Sequence, residues 1–223
     1  GRFFFYDDLS QNQETKLIEA IIERRSGEAD PADVYGYTYV NPTENITALQ
    51  DLREFSTVMN ACGRLMRASV GYSACLGSAR AKKEALSILQ DYKAKISEAM
   101  TWFEEAEGII SEKGYVIANA KEKILSTLIG TIASIISYSA DYPKDTFIMT
   151  LARCPNGRQT KVSLRQTPHS QFDLRAVMQE VITDGFSGGH RNAAGALVPV
   201  SDESVVIEQA MRVFGRYSLE ESL

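Results

Sequence analysis

The hydrophobic positions change period along this chain, dividing it into a helical first half and a second half in which strands and helices alternate. The opening Gly1-Arg2-Phe3-Phe4-Phe5-Tyr6 is an apolar run that predicts a strand or buried edge. From Gln13 to Arg25, Leu17, Ile18, Ile21 and Ile22 share one side with charges opposite, the pattern of an amphipathic helix ending near Gly27. Gly27 to Pro31 reads as a loop. Val34 to Val40 interleaves tyrosines with small residues until Asn41-Pro42 stops it, as in a short strand entering a turn. Leu49 to Met66 presents Leu52, Phe55, Met59 and Cys62 at helical spacing, with Gly63 a weak point or C-cap. Gly71 to Ser78 reads as a second short helix or a turn.

The most regular segment is Ala81 to Ile110, where apolar residues recur at Ala85, Leu89, Tyr92, Ile96, Ala99, Phe103, Ala106 and Ile110. The spacing predicts one helix of roughly 45 Å at about 1.5 Å per residue. Its narrow stripe suits an interlobe helix packed by its own chain or a coiled-coil contact, and the lack of complementary flanking charges favours the first. Past Gly114 the period changes. Strands are predicted at Tyr115 to Ala118, Thr146 to Ala152, Lys161 to Leu164 and Ala194 to Pro199. Helices are predicted at Ile124 to Tyr138, Leu174 to Ile182 after Asp173, and Val205 to Phe214 after Ser201-Asp202-Glu203. Arg158 and Lys161 beside Asn156-Gly157 suit an ordinary hairpin with positive tips. The expected class is α/β: a mixed-sheet C-terminal domain joined by a long interlobe helix to a smaller, mostly helical N-terminal segment. The divisions fall at residues 1–78, 79–113 and 114–223.

Composition narrows the function classes. With 223 residues and 44% hydrophobic content the chain can bury a sizeable core. A net charge of −5 excludes a generally basic nucleic-acid coat, so any polyanion site must be a local groove. Cys62, Cys75 and Cys154 lack C-x-x-C spacing, which argues against a disulfide framework or a zinc site and suits a reducing, cytoplasmic setting. Asn45-Ile46-Thr47 matches a glycosylation sequon, but nothing resembles a signal peptide, and no membrane association is expected. The start without methionine suggests a fragment of a longer protein, or a chain from which a tag has been removed.

Candidate chemistry concentrates at Ser187-Gly188-Gly189-His190-Arg191-Asn192-Ala193-Ala194-Gly195-Ala196. It reads as a glycine turn followed by a histidine. Gly188 and Gly189 permit close backbone approach to a ligand, His190 can hydrogen-bond a phosphate, and Asn192 can donate and accept through its amide. The alternative is a tight turn with a satisfied histidine. His169, in a polar loop, is assigned no role.

The order of three motifs resembles the C-terminal part of the DHH phosphoesterases, most closely the RecJ-like single-strand exonucleases of the archaeal type. Met59-Asn60-Ala61-Cys62-Gly63-Arg64 is similar to a segment that lines the family's substrate channel. Gly114 to Ser137, with Ile129-Gly130-Thr131-Ile132-Ala133-Ser134, is similar to the opening of the DHH-associated domain. Val162-Ser163-Leu164-Arg165, followed by Ser187 to Ala196, resembles that domain's phosphate-binding arginine and its glycine-glycine-histidine turn. Together they cover most of residues 48–200.

The resemblance implies the nucleic-acid-binding part of a metal-dependent single-strand exonuclease that hydrolyses phosphodiesters, with single-stranded DNA or RNA as partner. Arg165 would clamp phosphate through its planar fork, and His190 with the Gly188 and Gly189 backbone would hold another phosphate oxygen. Asn60 and Arg64, four apart on one helical face, would track adjacent phosphates. Arg67, Arg80, Lys82 and Lys83 would widen the basic strip, and Tyr72 would offer a stacking surface. Each has a plainer alternative as a surface charge, a helix cap or partly buried packing. Two departures stand out: Ser187 replaces the first of the family's usual three glycines, and the aspartates and Asp-His-His sequence of the catalytic centre are missing. Mn2+ or Mg2+ is therefore expected in a catalytic lobe absent from this chain, and none on these residues. By analogy with archaeal members, the GINS replication complex is a further implied partner. The alternatives are an oligonucleotide or cyclic-dinucleotide phosphodiesterase, or a non-catalytic replication scaffold of the Cdc45 type. The associated domain also recurs in alanyl-tRNA synthetases.

Overall fold

A computed structural model describes residues 9–26, 31, 36–139, 141–168, 170–183 and 185–220. The apolar opening at Phe3 to Tyr6, most of the loop expected at Gly27 to Pro31, Val34, Tyr35 and His169 lie outside them. The chain divides into two units, residues 1–57 and 58–223.

In the first unit, helix α1 (Gln11–Arg24) begins where Gln13 Oε1 accepts from the Ser10 N–H at 2.9 Å, and it turns Ile18 inward. The single helix expected over Leu49 to Met66 is instead two, α2 (Thr47–Gln50) and α3 (Leu52–Arg64). The break is at Asp51, which is extended and forms an antiparallel bridge with Val40. There the Asn41 N–H donates to Gln50 O at 2.8 Å and the Leu52 N–H to Tyr39 O at 2.9 Å. Asp51 Oδ1 then accepts from the Arg53 N–H at 2.7 Å, restarting the helix. Among the described residues, the strand expected up to Val40 is reduced to that one bridge. Helix α3 passes through Gly63 without ending there.

In the second unit, α4 (Ala68–Cys75) packs on α5 (Ala79–Glu105). Ser78 Oγ caps α5 by accepting from the Ala81 N–H at 3.3 Å. The helix buries Ala81, Ala85, Ile88, Leu89, Tyr92 and Ala99; of the expected stripe, Ala85, Leu89, Tyr92 and Ala99 are buried, while Ile96, Phe103 and Ala106 are only half-buried. It ends one turn before the expected Ile110, because Ala106 is extended and Gly108 takes φ +87°. Ile110 instead opens a strand.

Six strands form one mixed sheet among the described residues: β1 (Ile110–Glu112), β2 (Tyr115–Asn119), β3 (Phe147–Arg153), β4 (Gln159–Gln166), β5 (Phe186–His190) and β6 (Ala193–Pro199). Their order is β1-β2-β3-β4-β6-β5, antiparallel except for the parallel β2–β3 pair. That pair is joined across α6 (Ile129–Ser137), as a parallel connection requires. Alternate residues of the strands, including Ile117, Met149, Leu151, Val162, Leu164, Ala196 and Val198, pack under α7 (Leu174–Val181) and α8 (Glu203–Glu220). The Phe147 and Phe214 rings stack there with centroids 4.9 Å apart. Burial of this apolar layer is the main stabilising term. The opposite face carries α6 over β3 and β4; further along that face, on β6 and β5, Leu197, Phe186, Gly188 and His190 are exposed. Among the described residues, no helix is long and apolar enough to cross a membrane.

Candidate functional site

Strand alternation builds the site. On β4, Thr160, Val162 and Leu164 turn to the buried layer, so Lys161, Ser163 and Arg165 turn to the α6 face. Pairing then lays out rows across β4, β6 and β5. Lys161 is level with Leu197, which pairs Phe186; Ser163 is level with Gly195, which pairs Gly188. One step on, Arg165 lies toward Ala193, which pairs His190. Each row is about 10 Å wide, two inter-strand spacings.

Arg165 is held by neutral groups. Its Nε donates to Ser134 Oγ at 2.9 Å, and its Nη1 donates to Leu164 O at 2.8 Å and Ala194 O at 3.5 Å. Gly130, at the start of α6, makes room for it: a Cβ there would stand 3.2 Å from Arg165 Nη2 and 3.4 Å from Ser163 Oγ. Arg64, in the last turn of α3, donates from Nη1 to Thr127 O at 3.0 Å, while Thr127 Oγ1 donates back to Arg64 O at 2.6 Å. Among the described residues no carboxylate pairs with Arg64, Lys161 or Arg165, whereas Arg67 pairs with Glu84, Arg153 with Glu122 and Glu203, and Arg175 with Asp173. Burial pushes the Lys161 ammonium below its ordinary pKa, and Arg64 and Arg165 push it the same way. Burial followed by Arg64 lowers Arg165 as well. Cations that feel one another and no nearby carboxylate form a site suited to an anion.

The glycines do not form the expected turn. Ser187 to His190 belong to β5, and the turn is at Arg191-Asn192. Gly189 explains the difference: its φ is +152°, and a Cβ would stand 2.3 Å from Ala193 O and 2.6 Å from Ala194 Cα, so two backbones meet where no side chain fits. Gly189 pairs with the buried Ala194 and lies on the α7 side. Gly188 lies on the cationic side with nothing within 4 Å of its would-be Cβ, a flat floor open to a ligand. His190 is exposed at the end of the strand, and Asn192 is exposed in the turn. Arg191 is committed to structure: its Nη2 donates to Gln171 O at 2.9 Å, and its carbonyl accepts from the Leu174 N–H at 2.8 Å.

Of the residues singled out by sequence, the sheet thus brings Arg165, Gly188 and His190 to one face. Arg64 couples electrostatically to Lys161 and Arg165. Asn60 is exposed on α3 and Tyr72 on α4, and no hydrogen bond ties either to this face; Arg67 is neutralised by Glu84. Sequence reasoning gave Lys161 to a strand start and a hairpin tip without a binding role, and it named Gly130, Ser134, Ser163 and Gly195 only within longer motifs. Polar residues at 161, 163 and 165, two apart in an apolar strand, were the available signal.

No group of three or more His, Cys, Asp or Glu that could hold a metal ion occurs among the described residues. The described residues do not fit a two-metal centre. What they define is a cationic face on a mixed α/β domain. Residues 112–215 match the DHHA1 domain, and the chain carries that domain. In fold it is similar to RecJ of Thermus thermophilus in complex with Mg2+, at 18% identity and TM-score 0.57, covering 92% of this chain and 30% of that one. It is also similar to exonuclease RecJ bound to manganese, at 16% identity and TM-score 0.55, covering 92% of this chain and 44% of that one. The chain therefore spans less than half the length of either solved protein. No curated protein matches it. What the comparisons share with this chain is thus the DHHA1 domain over residues 112–215 and the fold of the RecJ structures.

Proposed function

We propose that this chain supplies the substrate-binding face of a DHH-family phosphoesterase acting on single-stranded nucleic acid, with Mg2+- or Mn2+-dependent hydrolysis residing in a catalytic lobe outside it. The observation that carries this reading is the β4 face that bears Lys161 and Arg165, influenced by Arg64 and without a carboxylate partner among the described residues, beside a glycine floor in a chain of net charge −5. Arg165 is oriented by Ser134 and two carbonyls that leave its charge free to meet a phosphate. Gly188 and Gly195 bring the sheet backbone close to the bound strand, and His190 can donate to or accept from a phosphate oxygen at the far side of the row. The metal-bearing exonuclease neighbours support the reaction class through their shared fold.

The test is binding of single-stranded DNA and RNA as a function of salt. Three phosphate contacts predict a slope of log K against log salt of about −2, at about −0.7 per contact on single strands. Arg165→Ala should weaken binding and flatten the slope by about 0.7. No binding at low salt, or an Arg165→Ala variant that binds like wild type, would overturn the proposal.

A further inference from the structure

Resting on that reading, we propose that Phe186, with Leu197 beside it, is a base-stacking platform: a base of the bound single strand lies on the Phe186 ring while its phosphates follow Lys161 and Arg165. Phe186 is 87% exposed and Leu197 41% exposed, and the two are paired across β5 and β6. Leu197 is in turn level with Lys161, so one row carries a cation, an aliphatic side chain and an aromatic ring on the same face. An aromatic bared to water on an edge strand is costly and invites unwanted pairing. Gly185, at φ +149° with its would-be Cβ 3.1 Å from Ile182 Cγ2, lets the chain enter β5 close against the buried layer. Phe186 therefore begins the strand on the opposite, open face.

The neighbouring rows identify the occupant. Next to Phe186 along β5 is bare Gly188, then His190, while β4 offers Lys161, Ser163 and Arg165 in the same sequence of rows. A charged edge parallel to a flat apolar and glycine edge complements a chain that has anions along one side and flat rings along the other. A single-stranded nucleic acid has that form, and stacking on an aromatic ring tolerates any base because every base has a π-face.

The experiment compares two oligonucleotides of equal length and charge, one carrying the fluorescent base 2-aminopurine and one with abasic sites in place of the bases, on the whole chain. Phe186→Ala should weaken the base-bearing strand by roughly 5- to 100-fold, leave the abasic strand within about twofold, and keep the salt slope. Phe186→Trp should restore binding and quench the 2-aminopurine. The exposed position lets both variants melt like wild type, which a thermal scan checks. If Phe186→Ala weakens both strands equally, or neither, while Arg165→Ala still loses affinity and slope, the platform is wrong and the substrate-binding reading stands. If wild type shows no salt-dependent binding, both fail. If Phe186→Ala instead abolishes self-association in sedimentation with oligonucleotide binding unchanged, the ring serves a protein contact and the platform is overturned.

Discussion

Replacing Gly189 by alanine tests the hairpin that positions His190 and Gly188. The backbone at φ +152° is one that alanine adopts only at a cost of about 1–3 kcal/mol. The new Cβ would stand 2.3 Å from Ala193 O, 2.6 Å from Ala194 Cα and 3.1 Å from Ala193 C, all backbone atoms of β6. No rotamer relieves that clash, because β6 is itself laddered to β4 from Gln159↔Pro199 to Leu164↔Ala194. The weaker partner must move, and β5 is an edge strand whose side chains bury little. The expected result centres on β5: amides of 186–190 lose hydrogen-exchange protection, and the melt falls by roughly 2–12 °C, from about 2–4 °C per kcal/mol in a protein of this size. Gly188→Ala is the control. Nothing lies within 4 Å of its would-be Cβ, so it should keep protection and melting temperature. Its added methyl stands on the ligand face, so oligonucleotide affinity should fall without any loss of fold. A Gly189→Ala variant with wild-type exchange and melting would refute the close-approach argument.

Two further substitutions separate stability from binding. Glu203 starts α8 almost fully buried; burial alone would raise its pKa, but donors from Arg153, Thr160 and Asn119 outweigh that and hold the carboxyl below its ordinary range. A depressed carboxylate stabilises the fold above its unfolded pKa of about 4.3 and loses that contribution as the pH falls through the folded value. Glu203→Gln should therefore cost about 1–3 kcal/mol at pH 7 and flatten the acid limb of the stability curve, read by denaturant melts from pH 7 to pH 3. Lys161→Met should act in the opposite sense. The folded pKa of Lys161 is lowered by burial and then by Arg64, so its charge is a burden on the empty protein, and stability rises with pH between the folded value and about 10.4. The variant should melt higher at pH 7, lose that alkaline rise, and bind oligonucleotide with a salt slope flatter by about 0.7.

The parts of this fold that could be read from sequence are those whose pattern is set by one buried face. The α5 stripe and the alternation in β4 follow from which side meets the core, the continuous apolar run of β3 follows from burial on both faces, and the alternation of strands with α6, α7 and α8 yields the α/β class. The misreadings have a common cause, namely a partner far along the chain. Asp51 breaks a helical pattern because Val40 pairs with it. Ile110 continues the spacing of α5 yet leaves it to pair with Ile117. Gly188 and Gly189 carry the local signature of a turn and are strand residues because Gly195 and Ala194 lie opposite. Lys161 sits close enough to Asn156-Gly157 to look like a tip, and only its register with Leu197 and Ala152 places it on the cationic face.

The same dependence on pairing explains how an acidic chain can offer an anion site. With 24 Lys and Arg against 29 Asp and Glu, net charge by itself predicts no attraction for phosphate. Exposed charges are screened within about 8 Å at physiological ionic strength, so what matters is which cations lack a carboxylate nearby. Arg153 shows the structural use of arginine, fixed between Glu122 and Glu203 and neutralised by them. Arg165 is fixed as firmly by a serine hydroxyl and carbonyl oxygens, which orient the guanidinium without cancelling its charge. A carboxylate in place of Ser134 would stabilise the empty domain and remove the attraction. Holding Arg165 with neutral acceptors leaves its charge uncancelled, as the proposed phosphate contact requires.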